Sequence, residues 1–195
     1  MSRTFEVCKN YNKEEIKLPT RATKYSAGYD FMAAQDIEIP SFWKNLLPSG
    51  KRKEKTLGIA IEYKNKVLDQ SNECKTDFKT VLEKVLIMLK PILVPTGIKA
   101  SMNSDEYLML CNRSSNPLKK LLLLGNGVGI VDADYYSNPS NDGEIKFLFW
   151  NFGIFNLVIK KGDYIGQGIF QKYLLIDNDK PRCIERTGGF GSTNN

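Results

Sequence analysis

Three stretches of the chain are too dense in Gly, Asp, Ser and Arg to be ordinary turns. The first is Ser26-Ala27-Gly28-Tyr29-Asp30. The second runs from Arg113-Ser114-Ser115 through Gly125-Asn126-Gly127-Val128-Gly129-Ile130-Val131-Asp132-Ala133-Asp134-Tyr135. The third is Arg186-Thr187-Gly188-Gly189-Phe190-Gly191-Ser192-Thr193. Singly, each has an ordinary explanation: a Gly-rich tail is often only flexible, and Asp132-x-Asp134 alone reads as a turn. Together they supply the parts of a phosphate site. Arginine presents a fork of donors, serine a hydroxyl, and glycines let backbone amides approach an anion; carboxylates hold Mg²⁺ through oxygen or orient a water. Gly125-x-Gly127-x-Gly129 leads into Ile-Val-Asp-x-Asp-Tyr and not into a helix, so it lacks the context of a dinucleotide loop.

Composition narrows the chemistry further. The 195 residues include no histidine. That excludes Ser/His/Asp and Cys/His nucleophile systems, His-ligated zinc and a His general base. The four cysteines, Cys8, Cys74, Cys111 and Cys183, are widely spaced and form no Cys-x-x-Cys pair. They read as buried or idle thiols and not as a disulfide framework. With 42% hydrophobic and 26% charged residues the chain can bury a core. Its net charge of +6 is too small and scattered to indicate nucleic-acid binding. Residues 1–13 lack the apolar core of a signal peptide, and the apolar runs Val85 to Leu89 and Leu121 to Leu124 are far shorter than a membrane span. The expectation is a soluble, cytoplasmic protein with no membrane or nucleic-acid partner.

The elements that must carry these clusters have two textures. Ile98 to Met102, Tyr107 to Cys111, Gly127 to Val131, Ile145 to Phe152, Phe155 to Ile159 and Ile165 to Leu175 are short apolar or alternating runs. Turn signals such as Asn103-Ser104-Asp105, Asn138-Pro139 and Lys161-Gly162-Asp163 break them, which predicts an all-β barrel or sandwich. Pro19 to Ile39 adds another extended stretch. Residues 41–90 differ and read as an insertion into that β domain. After the charge run Lys51-Arg52-Lys53-Glu54-Lys55, residues Phe78, Val81, Leu82, Val85, Leu86 and Leu89 fall on one face of a helix predicted over 76–90. Pro91 ends it. The apolar face suits either docking on the chain's own β core or a protein partner at 41–90.

With these motifs in order, the chain resembles the homotrimeric dUTPases (deoxyuridine 5′-triphosphate nucleotidohydrolases). Their five motifs correspond to Ala27-Gly28-Tyr29-Asp30 near Pro19-Thr20-Arg21-Ala22-Thr23, Arg113-Ser114-Ser115, Asn126 through Tyr135, Lys161-Gly162-Asp163-Tyr164-Ile165-Gly166-Gln167, and Arg186 with Gly188 through Thr193. Leu93-Val94-Pro95-Thr96-Gly97-Ile98 also matches. The resemblance spans roughly residues 19–37 and 91–193. It implies a distorted jelly-roll β-barrel over 1–195, with the helix-containing insertion at 41–90 and a mobile C-terminal tail at 180–195. It also implies a homotrimer whose active sites combine motifs from all three chains.

The resemblance implies roles position by position. Asp132 would activate the water that attacks the α-phosphorus of dUTP, giving dUMP and diphosphate. Tyr135 would pack on the deoxyribose and exclude a 2′-hydroxyl. Asn126 and the backbone of the hairpin through Gly129, Ile130 and Val131 to about Lys146 would read the uracil edge. Arg113, Ser114, Ser115 and Gln167 would contact phosphate oxygens or order the site. Arg186, Phe190, Gly191 and Ser192 belong to the tail that closes over phosphates and stacks on the base. Mg²⁺ would be held by the substrate phosphates, with Asp30 near it through water. Phosphoanhydride hydrolysis needs charge neutralisation and an aligned water more than covalent work by the protein, so a chain without histidine suits it. A carboxylate accepts a proton from water as general base. Two departures stand out. Relatives usually continue after the tyrosine with one residue and then Gly, whereas Tyr136 to Asp142 intervene here before Gly143; and Gly166 stands where Ala is common. Two other readings remain open: a regulatory or interaction protein on a dUTPase scaffold acting through 41–90, and an enzyme like dCTP deaminase, which shares the fold.

Overall fold

A computed structural model describes residues 2–46 and 89–181, with the side chains of 45 and 46 left aside. Most of the helix expected at 76–90, and all of the tail beyond 181, lie outside the described residues. Among the described residues, four antiparallel sheets carry the architecture. β1 (Thr4–Val7) pairs with β6 (Ile98–Ser101), and β4 (Ile37–Ile39) with β11 (Leu157–Ile159). β10 (Lys146–Asn151) lies between β5 (Ile92–Pro95) and β8 (Leu122–Leu124). The largest ladder runs β2 (Thr20–Arg21), β3 (Tyr29–Met32), β12 (Tyr164–Lys172), β7 (Glu106–Asn112), β9 (Gly129–Asp132). The all-β class expected from the alternating runs is the one observed; among the described residues it is built as four sheets and not as one continuous closed sheet.

Period-two burial explains the core. Along β10, Phe147, Phe149 and Asn151 point inward while Lys146, Leu148 and Trp150 stay half-exposed. Phe147 and Phe149 stack at 6.2 Å, and Phe31 of β3 meets Phe147 at 5.6 Å. Phe5 of β1 reaches Tyr29, Phe31 and Phe170 at 5.3, 5.4 and 5.3 Å, which ties the N-terminal strand to the large sheet. Gly166 has its reason here. A Cβ at that position would lie 2.0 Å from the Phe147 ring, so the core phenylalanine occupies the space an alanine would need.

Two short helices, α1 (Phe42–Leu46) and α2 (Ser115–Lys120), and β1 are elements that sequence patterning did not reveal. Five or six residues are too few for a helical period to register. Among the described residues no helix is long and apolar enough to cross a membrane. Cys8 is buried and Cys111 half-buried, both as free thiols. Burial pushes the Cys8 thiol up to about 12, with Glu144 and Asp142 adding to the effect, so it remains protonated at neutral pH as an idle thiol should.

Candidate active site

The ladder between β3 and β12 sets Asp30 directly opposite Gln167. The Gln167 side-chain amide donates to Asp30 Oδ1 at 3.0 Å, and Arg113 Nε lies 3.4 Å from the same oxygen. Asp30 is buried, while the Arg113 side chain keeps 31% of its surface open. The guanidinium also lies 5.0 Å from the centre of the Tyr164 ring, a cation–π contact that helps fix its plane. Residues from the first, second and fourth motifs therefore converge on one carboxylate oxygen.

Arg113 is positioned from behind by a buried amide. It follows the last residue of β7 and precedes α2, in which Asn116 is 1% exposed. Both protons of the Asn116 amide are used: one reaches the Ile165 carbonyl at 2.8 Å and the other Asn112 Oδ1 at 2.7 Å. Asn112 in turn donates to the Leu122 carbonyl at 3.0 Å. This chain fixes the start of α2 to β12. Ser114 is exposed and its hydroxyl does not cap α2; Ser115 is half-buried.

The third-motif residues form a second group. Asn126 and Gly127 are exposed at the tip between β8 and β9, with Gly127 in the left-handed region. Along β9, Gly129 and Val131 face the core, Ile130 is 55% exposed, and Asp132 is half-buried. Asp132 has extended backbone and leads into a single 3-10 turn, Ala133–Tyr135. It borders an open depression shared with Met102, Ser104, Ala133, Asp134 and Tyr173, so it is not turned into the apolar interior. Tyr135 is buried; its hydroxyl donates to the Glu144 carbonyl at 3.4 Å and accepts from Asn141 at 2.6 Å.

These two groups sit at opposite ends of β7. Asp132 pairs with Tyr107, the second residue of that strand, whereas Arg113 follows its last residue. Six residues of extended chain separate them by about 20 Å. Lys146 joins neither group. β9 pairs with β7 and not with β10, and the Lys146 ammonium lies 3.2 Å from Glu144 Oε2. Arg186, Phe190, Gly191 and Ser192 lie outside the described residues.

Sequence reading did not single out the buried polar frame around Tyr135. Glu144 Oε1 accepts from the Tyr11 hydroxyl at 2.7 Å and the Gly97 amide at 3.1 Å. Lys99, 6% exposed at its side chain, donates to Asp142 Oδ1 at 3.0 Å and Ser137 Oγ at 3.1 Å. Burial works against the Asp142 charge, but the Lys9 amide and the Lys99 ammonium outweigh it and hold the carboxyl below the usual range. The same pairing overcomes burial at Lys99 and raises its ammonium above the ordinary lysine value. Among the described residues no three His, Cys, Asp or Glu side chains are placed to hold a metal together. Asp30 offers hard oxygen, but its Oδ1 is engaged by Gln167 and Arg113, which suits a water-mediated contact with Mg²⁺ better than direct ligation.

The dUTPase family profile matches residues 77–194. Over 192 residues the chain is 35% identical to deoxyuridine 5′-triphosphate nucleotidohydrolase of Lactococcus lactis, spanning 98% of this chain and 97% of that one. The chain belongs to the dUTPase family. Its fold matches the crystal structure of dUTPase from Streptococcus mutans with a TM-score of 0.62 at 33% identity, covering 89% of this chain and 98% of that one. A dUTPase from phage phi11 of Staphylococcus aureus, in which a structural Mg(II) ion is coordinated, shares the fold at 13% identity with a TM-score of 0.55 over 93% of this chain and 97% of that one. Within this dUTPase, the first, second and fourth motifs meet at Asp30, and the third stands apart on β9.

Proposed function

We propose that this dUTPase hydrolyses dUTP to dUMP and diphosphate, with Asp132 as the general base that draws a proton from the water attacking the α-phosphorus. The supporting observation is the place of Asp132: half-buried at the rim of an open depression, where a carboxylate is reachable by water, and three residues before Tyr135. Tyr135 packs on the deoxyribose. Asn126 and the β9 backbone from Gly129 to Val131 read the uracil edge. Arg113, Ser114, Ser115 and Gln167 bind the phosphates, with Arg113 preset by Asp30 and Tyr164 so that little ordering is left for the bound state. Arg186, Phe190, Gly191 and Ser192 add contacts to phosphate and base.

Mg²⁺, when bound, offsets triphosphate charge and draws electron density from the phosphorus. Among the described residues no group of carboxylates is assembled to hold the ion by itself, so the substrate's phosphates would supply its protein-independent ligands and Asp30 would contribute through water.

The centre is completed by other copies of the chain in a homotrimer, the assembly that the motif resemblance implies. The roughly 20 Å of β7 between Asp132 and Arg113 supports a centre shared between copies. Co-assembly tests both points. Asp132→Asn and Arg113→Ala proteins are each expected to release little diphosphate from dUTP. Trimers refolded from a mixture of the two should regain activity, because some centres then carry an intact Asp132 from one chain and an intact Arg113 from another. A mixture as inactive as its parents would overturn the shared centre. A fully active Asp132→Asn protein would overturn the general base.

A further inference from the structure

Tyr136 to Asp142, the seven residues before Gly143, fold back onto the tyrosine that precedes them. The loop has one tightly specified path. The Asn138 carbonyl accepts from the amides of Asn141 and Asp142 at 3.3 and 2.7 Å, and the Asn138 amide donates to the Tyr135 carbonyl at 3.2 Å. Asn138 Oδ1 takes the Ser140 amide and hydroxyl at 3.0 and 2.7 Å. Ser137, Asp142 and Gly143 have φ of 53°, 57° and 75°. Such backbone is retained in Ser and Asp only where surroundings enforce it, and here the Lys99 ammonium and the Lys9 amide grip Asp142. At Gly143 a Cβ would lie 2.5 Å from the Tyr135 carbonyl oxygen, so the loop closes against that residue with no room to spare.

The product of this folding is a clamp. Asn141 accepts the Gly143 amide at 3.0 Å through Oδ1 and donates through Nδ2 to the Tyr135 hydroxyl at 2.6 Å. The tyrosine hydroxyl itself donates a hydrogen bond to the Glu144 carbonyl at 3.4 Å. We infer that Asn141 is a positioning residue for sugar discrimination: by holding the far end of the phenol it fixes the ring that excludes a 2′-hydroxyl. The inference rests on the reading of Tyr135 as the deoxyribose platform. A ring attached only at Cβ can tilt; a ring bonded at both ends cannot yield to an extra oxygen without breaking a hydrogen bond.

The test is kcat and KM for dUTP and UTP on the full chain. Losing one neutral hydrogen bond corresponds to about a fivefold change. Asn141→Ala should lower the dUTP-to-UTP ratio of kcat/KM by about that factor, through KM, with kcat for dUTP falling less than about threefold. Tyr135→Phe, which keeps the ring and loses the hydroxyl, should also lower the dUTP-to-UTP ratio, and in the double variant that ratio should be no lower than in either single variant. Asn141→Ser, too short to reach the phenol but able to stay polar in the loop, should repeat the loss and serves if Asn141→Ala does not fold. Equal decline for both nucleotides alongside a lower melting temperature would make Asn141 a loop residue only and overturn the inference. If Tyr135→Ala destroys the ratio while both Asn141 variants keep it, the inference fails and the Tyr135 reading stands. A ratio unchanged in Tyr135→Ala overturns both.

Discussion

The two ends of β7 are held by different means. At the Arg113 end, positions are set by strand register: Asp30 faces Gln167 because β3 pairs with β12, and Asn116 hangs from the backbone of Ile165. At the Tyr135 end the backbone is irregular, and side chains supply what a ladder would: Asn138, Asn141, Asp142 and Lys99 each hold part of a loop that includes left-handed residues. A ladder tolerates side-chain change because its bonds belong to the main chain. A loop built on amide and carboxylate side chains does not. The Arg113 end is therefore expected to be robust in position and sensitive in charge, and the Tyr135 end the reverse.

The largest expected effect lies in chemistry and leaves both frames intact. Asp132→Asn should lower kcat for diphosphate release by about 1000-fold with KM for dUTP little changed, as loss of a general base predicts; a loss confined to KM would move Asp132 from proton transfer to binding. Next is the anchor of the loop. Lys99→Met leaves the half-buried Asp142 carboxylate with only the exposed Lys9 ammonium, 3.9 Å away, as a cation, and should destabilise the protein by about 3 kcal/mol in urea unfolding. The lowered pKa of Asp142 stabilises the fold above the unfolded carboxylate value of about 3.9 and is lost as acid titrates it in the folded state. The raised pKa of Lys99 stabilises below about 10.4 and is lost as alkali removes the proton in the folded state. Lys99→Met should accordingly flatten both limbs of the stability–pH curve; unchanged limbs would place the pH dependence elsewhere.

A smaller effect probes the ladder itself. Gly166→Ala drives a methyl group into Phe147 and should cost about 2 kcal/mol, with Phe147→Leu in the same chain restoring most of it. Smallest is Gln167→Ala, which removes one hydrogen bond to Asp30 but no backbone pairing. It should raise KM for dUTP about fivefold and leave the melting temperature within about 3 °C. A large fall in melting temperature would show that this end, too, depends on its side chains.

What was legible in the sequence follows the same division. Tyr107 to Cys111 and Ile165 to Leu175 announced β7 and β12 by alternation, and with them the strands that carry Gln167 and lead to Arg113. The resemblance implied phosphate contacts for Arg113 and Gln167 and a place near the metal's waters for Asp30, but not their meeting within one chain, since register between strands more than 50 residues apart has no local signature. Lys146 was expected along the uracil-reading hairpin, yet β10 pairs with β5 and β8 instead. The frame behind Tyr135 was invisible for a physical reason. Lys99 and Glu144 look like surface residues until partners distant in sequence satisfy them, and burial of a charge is decided by those partners alone.

The spacing along β7 has a genetic corollary. In a trimer where a copy lends its Asp132 end to one centre and its Arg113 end to another, a subunit damaged at both ends poisons two centres and contributes to none. A gene encoding that double variant, expressed beside the normal one, would then act as a dominant inhibitor out of proportion to its dose.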